Sequence, residues 1–342
     1  MQNQVIPFSK YFENWLYDKK GYYSQYKTIG KDGDFYTAVS TSSFFGGSIG
    51  KRVVDIIEEG FLGKDTTILE IGAHHGYLLA DMIQFIFTLK PNLITTLQFA
   101  IIEKHEHLQN KQINYFNKCF GDRIKLLHFN DISEIKLESA FIVANEIFDA
   151  FPCELVLTNK NNCLQKAIVK NHNITFTNPT SKDEKIVHHC DKYNITKGEV
   201  AIGYENFILQ LSKNIKHFEF ITFDYGEKYP RNDFSCRIYQ DHSVLPLFDE
   251  NTHLANLYQK SDITYDVNFQ HIIDIFENQG IKNIAYKTQL QALVDFGIIE
   301  LLEMLHKNTD EKTYLAEANK IKTLLNPTGM GDRFKMVLFR TQ

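Results

Sequence analysis

"TTILEIGAHHGYLLADMI", residues 66–83, decides the fold. A short apolar run ends in Glu70, Gly72 and Gly76 bracket His74 and His75, and an apolar stretch of helical length follows. Strand, tight turn and helix in that order place backbone N–H groups and the positive end of a helix just past a strand, where α/β proteins bind ligands. The turn departs from GxGxxG, because His74 occupies the middle glycine position and Tyr77 the last. It also lacks the Lys-Ser/Thr of a P-loop, which disfavours nucleoside triphosphate hydrolysis. A metal site built on His74 and His75 needs further ligands at metal spacing. No HxxxH or CxxC follows nearby, so no metal is expected.

The rhythm continues outward from this stretch. LQFAIIEK, RIKLLHF, SAFIVAN, FEFITFDYG and FKMVLFRT read as further strands, and HLQNKQINYFNK and ENFILQLSKNIKHF as helices between them. This alternation predicts an α/β fold, a parallel sheet with helices on both faces. Residues 154–202 break the rhythm, and ELVLTNKNNCLQKAIVKNHNITFTN alternates like β-hairpins, an inserted antiparallel element. The expected divisions are an N-terminal helical segment (1–64), a first part of the core (65–153), the insertion (154–202), and a second part of the core with a helical insertion (203–342). Within the first, FSKYFENWLYD is an amphipathic helix. The Gly-, Ser- and Thr-rich middle reads as loop, with a helix beginning at VVDII (53–57).

The 342 residues, 43% hydrophobic and 23% charged, suit a soluble globular protein with more than one unit. A formal charge of −5 argues against a chain that works by gripping nucleic-acid phosphates. Five scattered cysteines without a CxxC pair suit a reducing compartment, and the cytoplasm is expected. His188-His189-Cys190 reads as a solvated loop, since adjacent residues diverge. No signal peptide is apparent, and no apolar run reaches the roughly 18–20 residues that span a membrane.

Glu70, Glu103, Asp131, Asn145, Glu146 and Asp224 each follow an apolar strand-like run. One such residue is a strand-end cap; six in succession form a polar rim at one edge of the sheet. Glu103 is placed to accept from ribose hydroxyls and Asp131 to receive an adenine amino group. With the dinucleotide glycines incomplete, the order acid, glycine turn, acid, acid favours S-adenosylmethionine over NAD. "ANEIFDAFP" (144–152) gathers Asn145, Glu146 and Asp149, and clustered carboxylates beside a cleft are costly unless they bind a cation. An N-capped helix with solvated acids is the alternative at this point.

"GYYSQYKTIGKDGDFYTA", "ILEIGAHHGYLLADMI", "ANEIFDAFP", "FDYG", "TQ" at 288–289 and "GMGDRFKMVLF" occur in the order seen in MidA-type proteins, and nearly the whole chain resembles that family. The resemblance implies a class I S-adenosylmethionine-dependent methyltransferase with a Rossmann-like sheet. One member, a mitochondrial complex I assembly factor, methylates an arginine. It further implies that Gly33, Asp34, Phe35 and Thr37 form a loop covering the cofactor, with Glu70, Gly72, Gly76, Glu103, Asp131 and Asn145 binding it. Glu146 and Asp149 then hold the acceptor guanidinium. Asp224, Tyr225, Arg237 and Tyr239, with His242, line the substrate side.

Three departures stand out: Val39-Ser40 replaces the family's Pro-Glu, His74 a glycine, and Asp266 and Asn268 the family's His and Asp. The expected partner is a protein substrate, by resemblance a respiratory-complex subunit, and the hairpin strands in 154–180 are a candidate homodimer surface. Two other readings stay open: an amino methyltransferase acting on a base or glutamine, from the Asn-x-x-aromatic spacing at 145–148, and a scaffold that keeps the fold without turnover.

Overall fold

The structure, a computed structural model, describes residues 4–24, 37–240 and 243–342. The chain forms two compact units: a larger one of Thr37–Ile147, Phe207–Asp224 and Ile273–Gln342, and a smaller one of Met1–Tyr36, Phe148–Asn206 and Tyr225–Ile272.

The larger unit is built on Thr67–Ile71 (β1), Gln98–Ile102 (β2), Leu126–Phe129 (β3), Leu137–Asn145 (β4), Ile215–Glu227 (β5), Lys282–Thr288 (β6) and Phe334–Arg340 (β7). Their order in the sheet is β6-β7-β5-β4-β1-β2-β3. The five strands β5, β4, β1, β2 and β3 run parallel, while β6 and β7 pair antiparallel. Parallel strands covered on both faces need continuous apolar runs, and β1 is buried at all five positions. The order reverses between β1 and β4, so the ligand crevice of this topology opens beyond the ends of those two strands.

Helices Ser43–Glu58 (α1), Tyr77–Leu89 (α2) and Glu106–Phe120 (α3) cover the sheet. Phe45, Ile49 and Val53 of α1, Leu79 and Met82 of α2, Ile68 of β1 and Phe223 of β5 share one core. Here the structure corrects the sequence reading: α1 begins at Ser43, ten residues before VVDII, and takes Gly46, Gly47 and Gly50 into its interior. Glycine is a poor helix former, but a Cβ at Gly46 would lie 2.7 Å from Asp81 Cβ and one at Gly50 2.7 Å from the Met82 carbonyl oxygen. The glycines let α1 and α2 approach closely.

Glu219 of β5 is fully buried. Arg52 Nε and Nη2 donate to its two oxygens at 2.9 and 2.8 Å, and Arg340 Nε donates to Oε2 at 2.6 Å. The Arg52 fork and the single Arg340 bond satisfy a carboxylate that would otherwise be prohibitive inside a core.

In the smaller unit, Cys153–Thr158, Leu164–Lys170 and Asn173–Thr177 form the expected antiparallel hairpins, and Lys197–Ala201 adds to the first strand. The N-terminal helix, Phe8–Tyr17, seats Phe8, Phe12, Trp15 and Leu16 in a core with Leu155, Val169 and Tyr265. A second correction falls here: His188-His189-Cys190 lies on the helix Glu184–Tyr193 rather than in a solvated loop. The His189 ring packs 4.3 Å from that of His271, and burial, helped by that neighbour, pushes its pKa down to about 3. Among the described residues no helix is long and apolar enough to cross a membrane.

Helix propensity alone predicts that Gly50→Ala stabilises the chain by about 1 kcal/mol. The backbone contact predicts a loss of about 1–3 kcal/mol instead, read by urea denaturation. A gain in stability would contradict the close α1–α2 packing.

Candidate functional site

The turn after β1 is left-handed at three alternating positions: Gly72 (φ 76°), His74 (φ 47°) and Gly76 (φ 77°). A Cβ at Gly72 would meet Ile147 Cγ2 at 2.8 Å, so glycine is required there twice over. His74 carries the strain of a side chain in this region, roughly 1–2 kcal/mol. α2 starts after Gly76 without a side-chain cap, leaving helix N-terminal N–H groups and a positive dipole end at the turn. Glu70 Oε2 accepts from the Leu79 amide at 3.1 Å. Burial pushes Glu70 up to about 8 against that hydrogen bond, with a smaller push from Asp81.

At the end of β2, Glu103 is buried, and Oε1 accepts from the His105 amide at 2.8 Å. Burial raises its pKa against the backbone bonds from His105 and Lys104. Asp131 caps a short 3₁₀ turn: Oδ1 accepts from the Ser133 amide and hydroxyl at 2.9 and 2.6 Å, which lowers its pKa.

Asn145 closes β4 beside the turn's strand, and its Nδ2 donates to Glu146 Oε1 at 2.8 Å. Asn145 Oδ1 is buried with no hydrogen-bond donor among the described residues. Glu146 is itself left-handed, φ 52°, and its amide donates to the Phe223 carbonyl at 2.8 Å. Asp224, near the end of β5, is fully buried.

The smaller unit holds the other expected residues. Asp149 is buried in the 3₁₀ turn Phe148–Ala150. That turn is held by Tyr204 and Tyr265, whose hydroxyls donate to the Phe148 carbonyl at 2.7 and 3.2 Å, and by Tyr17, which donates to the Ala150 carbonyl at 2.9 Å. Tyr225, Arg237 and Tyr239 come together: the Arg237 guanidinium lies 5.2 Å from the Tyr225 ring centre, and its Nε donates to Tyr239 Oη at 2.9 Å. Arg237 Nη1 also donates to Asp266 Oδ1 at 2.6 Å, so one family departure has become the partner of an expected substrate residue. The Asp266 amide donates to Ser235 Oγ, which donates to half-buried Glu199 at 3.0 Å.

Gly33, Asp34, Phe35 and His242 lie outside the described residues. Thr37 N-caps the helix Ala38–Thr41 in a capping box with Ser40. Thr-x-x-Glu is itself a capping-box pattern, and the Ser40 hydroxyl, 3.0 Å from the Thr37 amide, keeps it. The Thr37 cap is therefore kept without the family's glutamate. Gln112, whose amide reaches the His74 carbonyl, was not singled out from the sequence. Its signal was a glutamine on the buried stripe between Leu108 and Phe116.

Residues 48–287 match the model of a family described as "Putative S-adenosyl-L-methionine-dependent methyltransferase". The chain belongs to that family. This methyltransferase is 23% identical to the mitochondrial protein arginine methyltransferase NDUFAF7 of Xenopus laevis, over 96% of this chain and 80% of that one. It is 24% identical to the Danio rerio protein of the same name, over 92% and 78%. A Burkholderia thailandensis protein whose crystal structure holds S-adenosyl-homocysteine superposes with a TM-score of 0.82 at 21% identity, covering 98% of this chain and 88% of that one. The fold is thus the Rossmann-like methyltransferase fold, and the cofactor is S-adenosylmethionine.

The residues present fit that cofactor. The uncapped start of α2 suits its carboxylate, the Glu103 carboxyl suits the ribose hydroxyls, and Asn145 Oδ1 is an acceptor awaiting a donor.

A carboxyl pKa raised by folding means the folded chain keeps a proton that the unfolded chain releases. Stability therefore falls as pH rises from the ordinary carboxylate range toward about 8. Glu70→Gln, neutral throughout, is expected to flatten the fall in Tm between about pH 5 and pH 8. An unchanged slope would remove Glu70 from this account.

Proposed function

We propose that the methyltransferase modifies an arginine guanidinium nitrogen of a protein. The observation that carries the reading is the end of β4, where the Glu146 carboxylate follows an Asn145 whose buried oxygen has no hydrogen-bond donor among the described residues. A guanidinium has five N–H donors and no acceptor, and it stays charged because its pKa exceeds about 12. Near-full-length likeness to two proteins named protein arginine methyltransferase supports the same acceptor.

When bound, the cofactor supplies an electrophilic methyl on a positively charged sulfur. The chain's task is to bring a second cation to that place and orient it. Glu146 offsets the acceptor's charge and draws it, through charge-assisted hydrogen bonds, toward the nitrogens that do not react. Its left-handed backbone and the bond from its amide to Phe223 fix where that carboxylate stands. Asn145 Nδ2 holds Oε1, which restricts rotation of the carboxylate. The proton released from the methylated nitrogen has the Glu146 carboxylate as its nearest proposed holder in this reading. Asp149 enters through the sequence, as the next carboxylate of ANEIFDAFP. The five cysteines are free thiols, in keeping with the cytoplasm we propose as the compartment.

Glu146→Gln keeps the shape and removes the charge. It is expected to bind S-adenosylhomocysteine within about twofold of the unmodified chain and to lose methyl transfer by about a hundredfold or more. Labelled cofactor, a cell extract and mass spectrometry of the modified residue provide the measurement. Label on lysine, glutamine or a nucleic-acid base, or an active Glu146→Gln, would refute the assignment.

A further inference from the structure

Gln112 is a fully buried amide on the apolar stripe of α3. Such a group is costly unless both its ends are bonded. Its Nε2 donates to the His74 carbonyl oxygen at 2.8 Å, and its Oε1 lies 2.8 Å from His128 Nε2 on β3. With the NH2 committed to a carbonyl, the amide oxygen is the acceptor, and His128 Nε2 carries the proton. His128 thereby fixes the glutamine's orientation, and the glutamine fixes the turn. Gly76 makes room for this arrangement: a Cβ there would lie 3.1 Å from Phe116 and 3.5 Å from Gln112 Cγ.

The His74 carbonyl and the His75 N–H belong to one planar trans peptide, so they point in opposite directions. Holding the oxygen toward α3 fixes the His75 N–H on the far side. Left alone, a residue with a Cβ at φ 47° relieves its strain by leaving the left-handed region, which changes φ and ψ together and carries its carbonyl away from the position Gln112 holds. Glycine has no such strain to relieve.

We propose that Gln112 is a positioning residue for the cofactor turn, holding His74 in the left-handed conformation that glycine adopts unaided and so setting the direction of the His75 N–H. The clamp compensates for the glycine that this chain lacks. It rests on the assignment of this turn to S-adenosylmethionine.

The test is calorimetric titration with S-adenosylhomocysteine of four chains: unmodified, Gln112→Met, His74→Gly and the double variant. Gln112→Met is expected to weaken binding about tenfold in the unmodified background, the scale of one lost hydrogen bond. With glycine at 74 the same change is expected to cost no more than about twofold. A residue that merely packs α3 would cost the same in both backgrounds, so equal losses overturn the proposal, as does no loss in the unmodified background. Gln112→Glu retains the length and the bond from His128 but removes the donor to His74, and it is expected to repeat the pattern if the methionine variant does not fold. Absence of binding by the unmodified chain overturns the cofactor assignment and the clamp with it.

Discussion

The structure depends on a backbone constraint: the chain leaving β1 must reverse into α2 within the few residues from Gly72 to Gly76. It does so by entering the left-handed region at every second residue. Two of those positions are glycine, and the third is a histidine held by a hydrogen bond to its carbonyl. This turn seats α2 on the core through Leu79 and Met82; Gly76 offers no side-chain cap, and Glu70 takes the Leu79 amide. Because β1 and β4 flank the point where strand order reverses, Asn145 and Glu146 end on the neighbouring strand. Glu146 is left-handed as well. Among the described residues of the larger unit, backbone strain thus falls at the ends of β1 and β4, where we propose the chemistry to lie.

Buried charge is handled in two ways. Glu219 is ionically satisfied by Arg52 and Arg340. Among the described residues Glu70 meets a backbone donor and no cation, and burial drives it toward the neutral acid. The first arrangement fastens α1 and β7 to the sheet. The second braces the first turn of α2 without setting a full negative charge beneath the turn after β1.

What was legible in the sequence was local. The apolar runs ending in Glu70, Glu103 and Asn145 announced parallel strands, because strands buried on both faces have almost no polar positions. What was not legible depended on residues distant in the chain. Gly46, Gly47 and Gly50 look like loop until α2 is laid against them. His189 looks solvated until the helix that carries it is packed and its ring meets that of His271. Ser40 looks like a lost glutamate until its hydroxyl is seen on the Thr37 amide. Arg237 and Asp266 are strangers in sequence and partners in space. Gln112 had a visible anomaly, a polar residue on a buried stripe, but the anomaly alone did not name its partner.

Hydrogen–deuterium exchange of the unmodified chain with and without S-adenosylhomocysteine tests the central claim, that the turn after β1 is the cofactor seat. The account predicts slowed exchange concentrated in peptides covering residues 70–79 and around Glu103. Protection elsewhere with none in those peptides, or no protection at near-millimolar S-adenosylhomocysteine, would contradict it.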